Sequence, residues 1–317
     1  MAPTGAETPA PADHERPDDA STTPRITVVI PVWGAHAAYV PEAVATVLQD
    51  DVPVRVLLVD NAADEPVPAP VGAEVLRLPE RLAVGAARNA GLWAVRTPYV
   101  MFWDADDLML PGTLTRLMSV LDADPGTVAV TAQSRTWTPE GGPREIWPWP
   151  RDPMYRLCNR RRLFALISTV LNPFTTTGPA LLRTAPTKDA GGFAEEIEFF
   201  EDWSLSTHLA IRGRVRMLRA EGRLYRVHGD SLSLGHLDHP DQRLWLAGMR
   251  RRIRRDPVTP VWLRVAMPLV WVGHVLRVRR AVRPDVGLGL YEDALGQGGA
   301  TPGAADAGAP TPGPGTP

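Results

Sequence analysis

The sequence predicts an α/β protein: a mixed, mainly parallel sheet with helices on both faces, followed by a basic helical C-terminal extension. Three observations carry this. RITVVIPVWG, VRVLLVDNA and YVMFWDADD are continuous rather than alternating apolar runs, as expected of strands buried on both faces. Helical patterns separate them, AAYVPEAVATVLQD after the first and LAVGAARNAGLWAV before the third, and strand–helix–strand order means parallel pairing. Acids stand where two of the runs end, Asp60 and the group Asp104, Asp106 and Asp107, at the sheet edge where such folds bind ligands.

In chain order, the first strand ends at Pro31 and Gly34, and the next helix carries Val40, Val44, Val47 and Leu48 at helical spacing. AEVLRL is a weaker strand. LAVGAARNAGLWAV has small residues on one side, and Gly85 and Gly91 read as close-packing positions because the GxGxxG spacing is absent. NPFTTTGPALLR reads as a turn and strand, EDWSLSTHLAIRG as a helix and GRVRMLRAEGRLYRV as a strand.

Composition bounds the function. The 317 residues are 44% hydrophobic and 22% charged with net charge −2, enough for one large domain or a domain plus a small appendage and without the bulk field of a nucleic-acid binder. The single Cys158 excludes an intramolecular disulfide framework and a cysteine zinc site, so a cytoplasmic location is expected, with the inner face of the cell membrane as a peripheral site. Residues 1–24 have no apolar core and five acids against one arginine, which excludes a signal or transit peptide and predicts a disordered lead-in. Residues 284–317 form a Pro/Gly/Ala-rich tail with too little apolar surface to order. The expected organisation is a lead-in over 1–24, a catalytic domain over 25–240, a basic amphipathic extension over 241–283 and the tail.

Crowded carboxylates repel and raise one another's pKa unless a cation joins them. A hard divalent ion held by one or two carboxylates and completed by substrate phosphates answers the crowding at Asp104 and Asp106. A solvated turn, or a helix cap made by Asp107, is the plainer reading.

TVVIPVWG, VLLVDN, GAARNAG, FWDADD, GGF with FFEDWSLSTHLA, and YRVHGDSLS stand in order over residues 26–234, and together they resemble family 2 glycosyltransferases of the GT-A fold. The resemblance implies an inverting transfer from a nucleotide-diphosphate sugar, UDP-linked by preference, to an acceptor hydroxyl on a glycan or lipid-linked intermediate, with Mg²⁺ or Mn²⁺ as cofactor. It places the base and ribose pocket at Pro31, Val32 and Asp60. Asp104 becomes the ribose or water-mediated metal contact, Asp106 the direct metal ligand, and His228 a third ligand or phosphate donor. Arg88 and Asn89 match the family's ARN segment, where Arg88 either faces the acids or a phosphate or pins a helix to the sheet. Asp202 is the implied general base and Glu201 the second candidate.

Two departures matter. Asn61 and Ala62 replace the acid and polar turn usual after Asp60, which leaves a catalytically inactive, glycosyltransferase-like binding or scaffold protein as the alternative. The QxxRW of processive members is absent, DQRLW having Gln242, Arg243 and Trp245 at another spacing, so transfer of one sugar or a few is expected. A sugar-nucleotide pyrophosphorylase would need a Gly-rich basic loop after the first strand, and a haloacid dehalogenase-type phosphatase would carry its DxD on the first strand.

Trp147, Trp149, Tyr155 and Arg160 to Arg162 lie near the acceptor side of such a plan, as sugar-stacking and diphosphate-meeting groups or as plain surface residues. From Arg243 to Arg283 eleven arginines face one acid, Asp256, interleaved with Trp262, Val265, Leu269 and Trp271. Interruptions at Arg264, Pro268 and His274 deny the segment about 20 uninterrupted apolar residues. Residues 243–283 therefore either lie on an anionic membrane surface or pack on the domain or a second copy; nucleic acid is not expected.

Overall fold

The computed structural model describes residues 23–138, 142–146, 152–157, 160–172, 174–197, 200–227 and 242–281. The expected tail, the lead-in before residue 23, His228, Trp147 and Trp149 lie outside them.

The described strands form one nine-stranded mixed sheet. β1 (Ile26–Val32), β2 (Val54–Asp60), β3 (Ala73–Arg77) and β4 (Tyr99–Phe102) make its parallel half in the order β3-β2-β1-β4. β1 lies between β2 and β4, with Val32 level with Asp60 and Val29 level with Phe102, so the first strand and both acidic strand ends share one rim. β5 (Leu108–Met109), β6 (Thr127–Thr138), β7 (Gly142–Ile146), β8 (Ala180–Arg183) and β9 (Arg214–Arg226) complete the sheet. β8 pairs antiparallel with both β4 and β6, β7 antiparallel with β6, and β9 parallel with β6 and antiparallel with β5.

Both faces of the parallel half are covered, as the continuous apolar runs require. Val28, Ile30, Leu58 and Met101 face α1 (Val40–Leu48) and α3 (Thr113–Ala123) in one cluster. Val29, Val59, Val100 and Phe102 face the other cluster, which takes in α2 (Val84–Ala94), α5 (Arg161–Ser168) and α7 (Glu201–Arg212). The short helices α4 (Asp152–Leu157) and α6 (Thr184–Asp189) flank α5 and β8 in sequence. α2 comes close because Gly91 carries no side chain: a Cβ there would stand 2.4 Å from Val29 Cγ1 and 2.9 Å from Val59 Cγ2.

The extension contains α8 (Gln242–Arg255) and α9 (Val261–Ala281). Trp245, Met249, Ile253, Leu263 and Met267 are buried in the cluster that holds Leu205 and Leu209 of α7, so one face of residues 242–267 packs on the domain. Asp256 fixes the joint. It accepts a 2.6 Å bond from Arg212 Nη1 and one from the Val258 amide, and it stands 3.5 Å from the Nε2 of His208. Burial holds His208 down at about 4, so it is neutral there at pH 7. One compact unit ends at His274; from Val275 only the remainder of α9 is described. Among the described residues no helix is long and apolar enough to cross a membrane.

Gly91→Ala must push two stiff valines out of the sheet, at a cost of about 1–3 kcal/mol. The melting midpoint should fall by roughly 2–10 °C, measured by differential scanning calorimetry; an unchanged midpoint would show that α2 can retreat freely.

Candidate active site

The strand carrying the acids stops earlier than the Pro111–Gly112 turn. β4 ends at Phe102, Trp103 is fully buried, and its indole Nε1 donates to Asp107 O at 3.2 Å. That bond and the one from Asp107 N to Asp104 O close residues 104–107 into a turn, which takes the three acids off the strand.

Asp107 is fully buried. Its Oδ2 accepts from Arg223 Nη1 at 2.9 Å and its Oδ1 from the Arg226 amide at 2.9 Å. The plainer reading of this stretch, a solvated turn or a cap made by Asp107, is thereby corrected: the side chain ties the turn to β9. Burial pushes its carboxyl well above the usual range, against the pull of Arg223. Asp104 accepts from Arg88 Nη2 at 3.0 Å and from Arg223 Nη1 at 3.4 Å. Asp106 is 14% exposed and 3.8 Å from the His36 Nδ1.

Arg88 rises from α2 beneath this turn. Nη2 bonds Asp104 while Nη1 donates to Glu201 Oε1 at 2.7 Å, and Nε is buried with no acceptor among the described residues. Of the two roles left open for Arg88, it takes the one facing the acids. Glu201 and Asp202 open α7, where acids suit the helix dipole. Burial, then the Asp202 charge, lifts Glu201 to about 7. Burial also raises Asp202, opposed by Arg88. Asp202 accepts from the Trp203 amide and from Asn172 Nδ2, and Thr176 Oγ1 donates to Asp202 O, so the threonine segment braces the α7 terminus. Phe200, just before the pair, has φ 71°, a left-handed conformation that costs a non-glycine residue about 1–3 kcal/mol and concentrates at working sites. Its ring is held edge-on against Trp203 and Trp245.

The expected nucleotide pocket is built differently from an open acid. Asp60 is fully buried, and its oxygens accept from the amides of Ala63 and Val67 and from Arg77 Nη1; the side chain shapes the loop after β2. Asn61 donates to Leu82 O and accepts from Leu82 N, each at 2.8 Å, a pairing of which an ionised aspartate could make only the accepting half. Pro31 and Val32 are buried in β1 beside this loop. Asn89 bonds both the N–H and the C=O of Phe193 and also Glu195, so it clamps α2 to the GGF turn rather than facing Asp104, Asp106 or Asp202.

Sequence reasoning missed Arg223 and Arg226. Arg223 reaches the acids across Gly178, where a Cβ would stand 2.3 Å from its Nη1. Arg226 donates to Asp106 O and to Glu42, its guanidinium lying over the rings of Tyr39 and Trp137 at 4.8 and 4.3 Å. Tyr155 bonds Gln133 and lies under Arg219. Among the described residues no three His, Cys, Asp or Glu side chains gather as a metal cage. The donor set instead fits a cation completed by substrate. Glu42, Asp104, Asp106, Asp107, Glu201 and Asp202 face Arg88, Arg223 and Arg226, six carboxylates against three guanidiniums.

Residues 27–182 match the family described as Glycosyl transferase family 2. The chain is 26% identical over 230 residues to the succinoglycan biosynthesis protein ExoO of Rhizobium meliloti, covering 69% of this chain and 65% of that protein. It is 29% identical over 286 residues to a pre-mycofactocin glycosyltransferase of Mycobacterium tuberculosis, covering 87% of this chain and 56% of that protein. It thus spans less than two thirds of either relative. In fold it is similar to S. aureus TarS 1-349 in complex with UDP-GlcNAc, with a TM-score of 0.60 at 18% identity over 85% of this chain and 77% of that one.

The raised Glu201 sets a pH dependence of stability. The folded state keeps the proton that the unfolded chain releases near 4.5, so this group's contribution is complete below that pH and declines as pH rises through about 7. Glu201→Gln should remove the decline. The melting midpoint of wild type minus that of the variant should fall between pH 5 and 8; a difference independent of pH contradicts the shift.

Proposed function

We propose that this chain, a glycosyltransferase belonging to family 2, moves one sugar or a few from a nucleotide-diphosphate sugar, UDP-linked by preference, to a hydroxyl of a glycan or lipid-linked polysaccharide intermediate, with inversion. The carrying observation is the Arg88 guanidinium, which joins the DxD carboxylate Asp104 to Glu201 beside Asp202. Donor-side and acceptor-side groups are thereby held within one side chain's span.

Asp202, raised by burial, is the general base: it takes the proton of the acceptor hydroxyl as that oxygen attacks the anomeric carbon and the nucleoside diphosphate departs from the opposite face. Its raised pKa makes it a stronger base than an ordinary aspartate. Glu201 is the second candidate, but its bond to Arg88 favours a positioning role. Arg88 keeps the negative acids from driving one another apart, and its planar fork suits two carboxylates at once. Pro31, Val32 and the loop shaped by Asp60 line the base and ribose pocket. Asp106, with Asp104 and His228, would hold Mg²⁺ or Mn²⁺, which supplies charge neutralisation for the leaving diphosphate.

Three names support the substrate class: ExoO is named for succinoglycan biosynthesis, a second relative is a glycosyltransferase acting on pre-mycofactocin, and TarS binds UDP-GlcNAc. We place the protein in the cytoplasm, at the inner face of the membrane through residues 243–283. The inactive scaffold reading draws on one observation, that Asp60 and Asn61 are engaged by the chain itself.

Calorimetric titration of UDP, GDP, dTDP and CDP, with and without Mn²⁺, separates the two readings. Metal-dependent binding of UDP should appear in wild type and weaken at least about tenfold in Asp106→Ala. No binding of any nucleotide to folded protein would sink the transferase reading in favour of the scaffold.

A further inference from the structure

α9 is half covered. Leu263 and Met267 are buried, whereas Val261, Val265 and Leu269 are 74%, 63% and 72% exposed. The exposed three recur at four-residue spacing, which stacks them on one helix face. Trp262, partly exposed, borders that stripe by helical angle, and Trp271 lies beyond its other edge, towards the buried Met267. Scattered exposed apolar residues mean little, but a stripe bordered by tryptophan marks an interaction face. Arg250 lies over the Trp271 ring at 4.4 Å.

Charge narrows the partner. The outward side of α8 presents Arg251, Arg254 and Arg255, all exposed, with Leu244 68% exposed among them. The one acid of residues 243–283, Asp256, is buried and paired to Arg212, so it does not offset this field. At the foot of α9 an open cleft of about 370 Å³ is lined by Arg161, Arg162, Ala165, Ile211, Trp262 and Leu263. Its floor is apolar, and its rim carries two arginines from the first turn of α5, where the helix dipole alone would favour acids. A second copy would meet this surface with the same surface, bringing arginine against arginine. A nucleic acid offers nothing to the valine–leucine stripe. An anionic lipid surface answers both features, since acyl chains take the stripe and headgroup phosphates the arginines. With Arg264 and Pro268 inside it, α9 is suited to lie on such a surface.

We infer that the outward face of α9, the arginine side of α8 and the cleft between α5, α7 and α9 form a docking surface for an anionic bilayer, the cleft taking the acyl chain of one lipid while Arg161 and Arg162 meet its phosphate. This rests on the peripheral contact proposed above and deepens it by naming the face and the lipid class. Ile211 lines the cleft at the far end of α7 from Glu201, about 15 Å along the helix axis, so lipid contact and nucleotide binding can be read separately.

The test is flotation of the full chain with phosphatidylcholine vesicles, with and without about one third phosphatidylglycerol. Binding should be at least about tenfold tighter to the anionic vesicles and should weaken as salt rises. Val265→Glu/Leu269→Glu and, separately, Arg162→Glu should each lose about tenfold or more, while melting midpoint and nucleotide titration match wild type. Folded wild type that ignores anionic vesicles, or binds neutral ones equally, overturns the inference and leaves the transferase reading standing. So does a dimer in sedimentation velocity that Val265→Glu/Leu269→Glu dissolves when no vesicle binding is seen. Failure of nucleotide binding with vesicle binding intact would instead remove the transferase reading alone.

Discussion

The site depends on one guanidinium. Arg88 is 7% exposed, flat and permanently charged, and its two terminal nitrogens hold carboxylates from elements far apart in sequence, Asp104 beyond β4 and Glu201 at the head of α7. Removing one partner from a buried ion pair costs about 3–5 kcal/mol, mostly through the charge left behind. Here two carboxylates would be left, with Asp202 adjoining one and Asp106 and Asp107 near the other. Arg223 repeats the device from β9, holding Asp104 and Asp107 together. Even so, among the described residues the cluster keeps three more carboxylates than guanidiniums. Burial relieves part of that excess at Glu201, lifted to about 7, and a divalent cation with its diphosphate would settle the rest.

Much of the scaffold was legible because continuous apolar runs admit few alternatives. β1, β2 and β4 bury both faces, and their ends name the functional rim without further knowledge. Gly91 was readable as a packing position because the GxGxxG spacing of a phosphate loop is absent around it. β6 was not: its second half, AQSRTWT, mixes polar and apolar residues and becomes a strand only by pairing with β9 and β7. Tertiary partners decide such a segment.

Within the site, the resemblance assigns roles to Asp104, Asp106, Glu201 and Asp202, but the residue pattern by itself does not divide their labour. Three acids in four positions look equivalent in sequence; burial separates Asp107 from the others, and its partner Arg223 stands 116 residues away. An arginine in a strand of an arginine-rich chain gives no local sign that it is buried. Asn61 looked like a loss of charge and proves to be an amide clamp on Leu82. The extension posed an either-or that the structure divides: one helix face packs around the Asp256 joint, and the other remains exposed.

The most direct test of the central role of Arg88 is a double-mutant cycle on nucleotide affinity in the presence of Mn²⁺, using Arg88→Met, Glu201→Gln and the pair. In the proposed reading Glu201 belongs to the acceptor side, so it should influence nucleotide binding only through Arg88. The account predicts a coupling of at least about 1 kcal/mol. Additivity within about 0.3–0.5 kcal/mol would contradict it, because the two halves of the site would then be held by something other than the arginine.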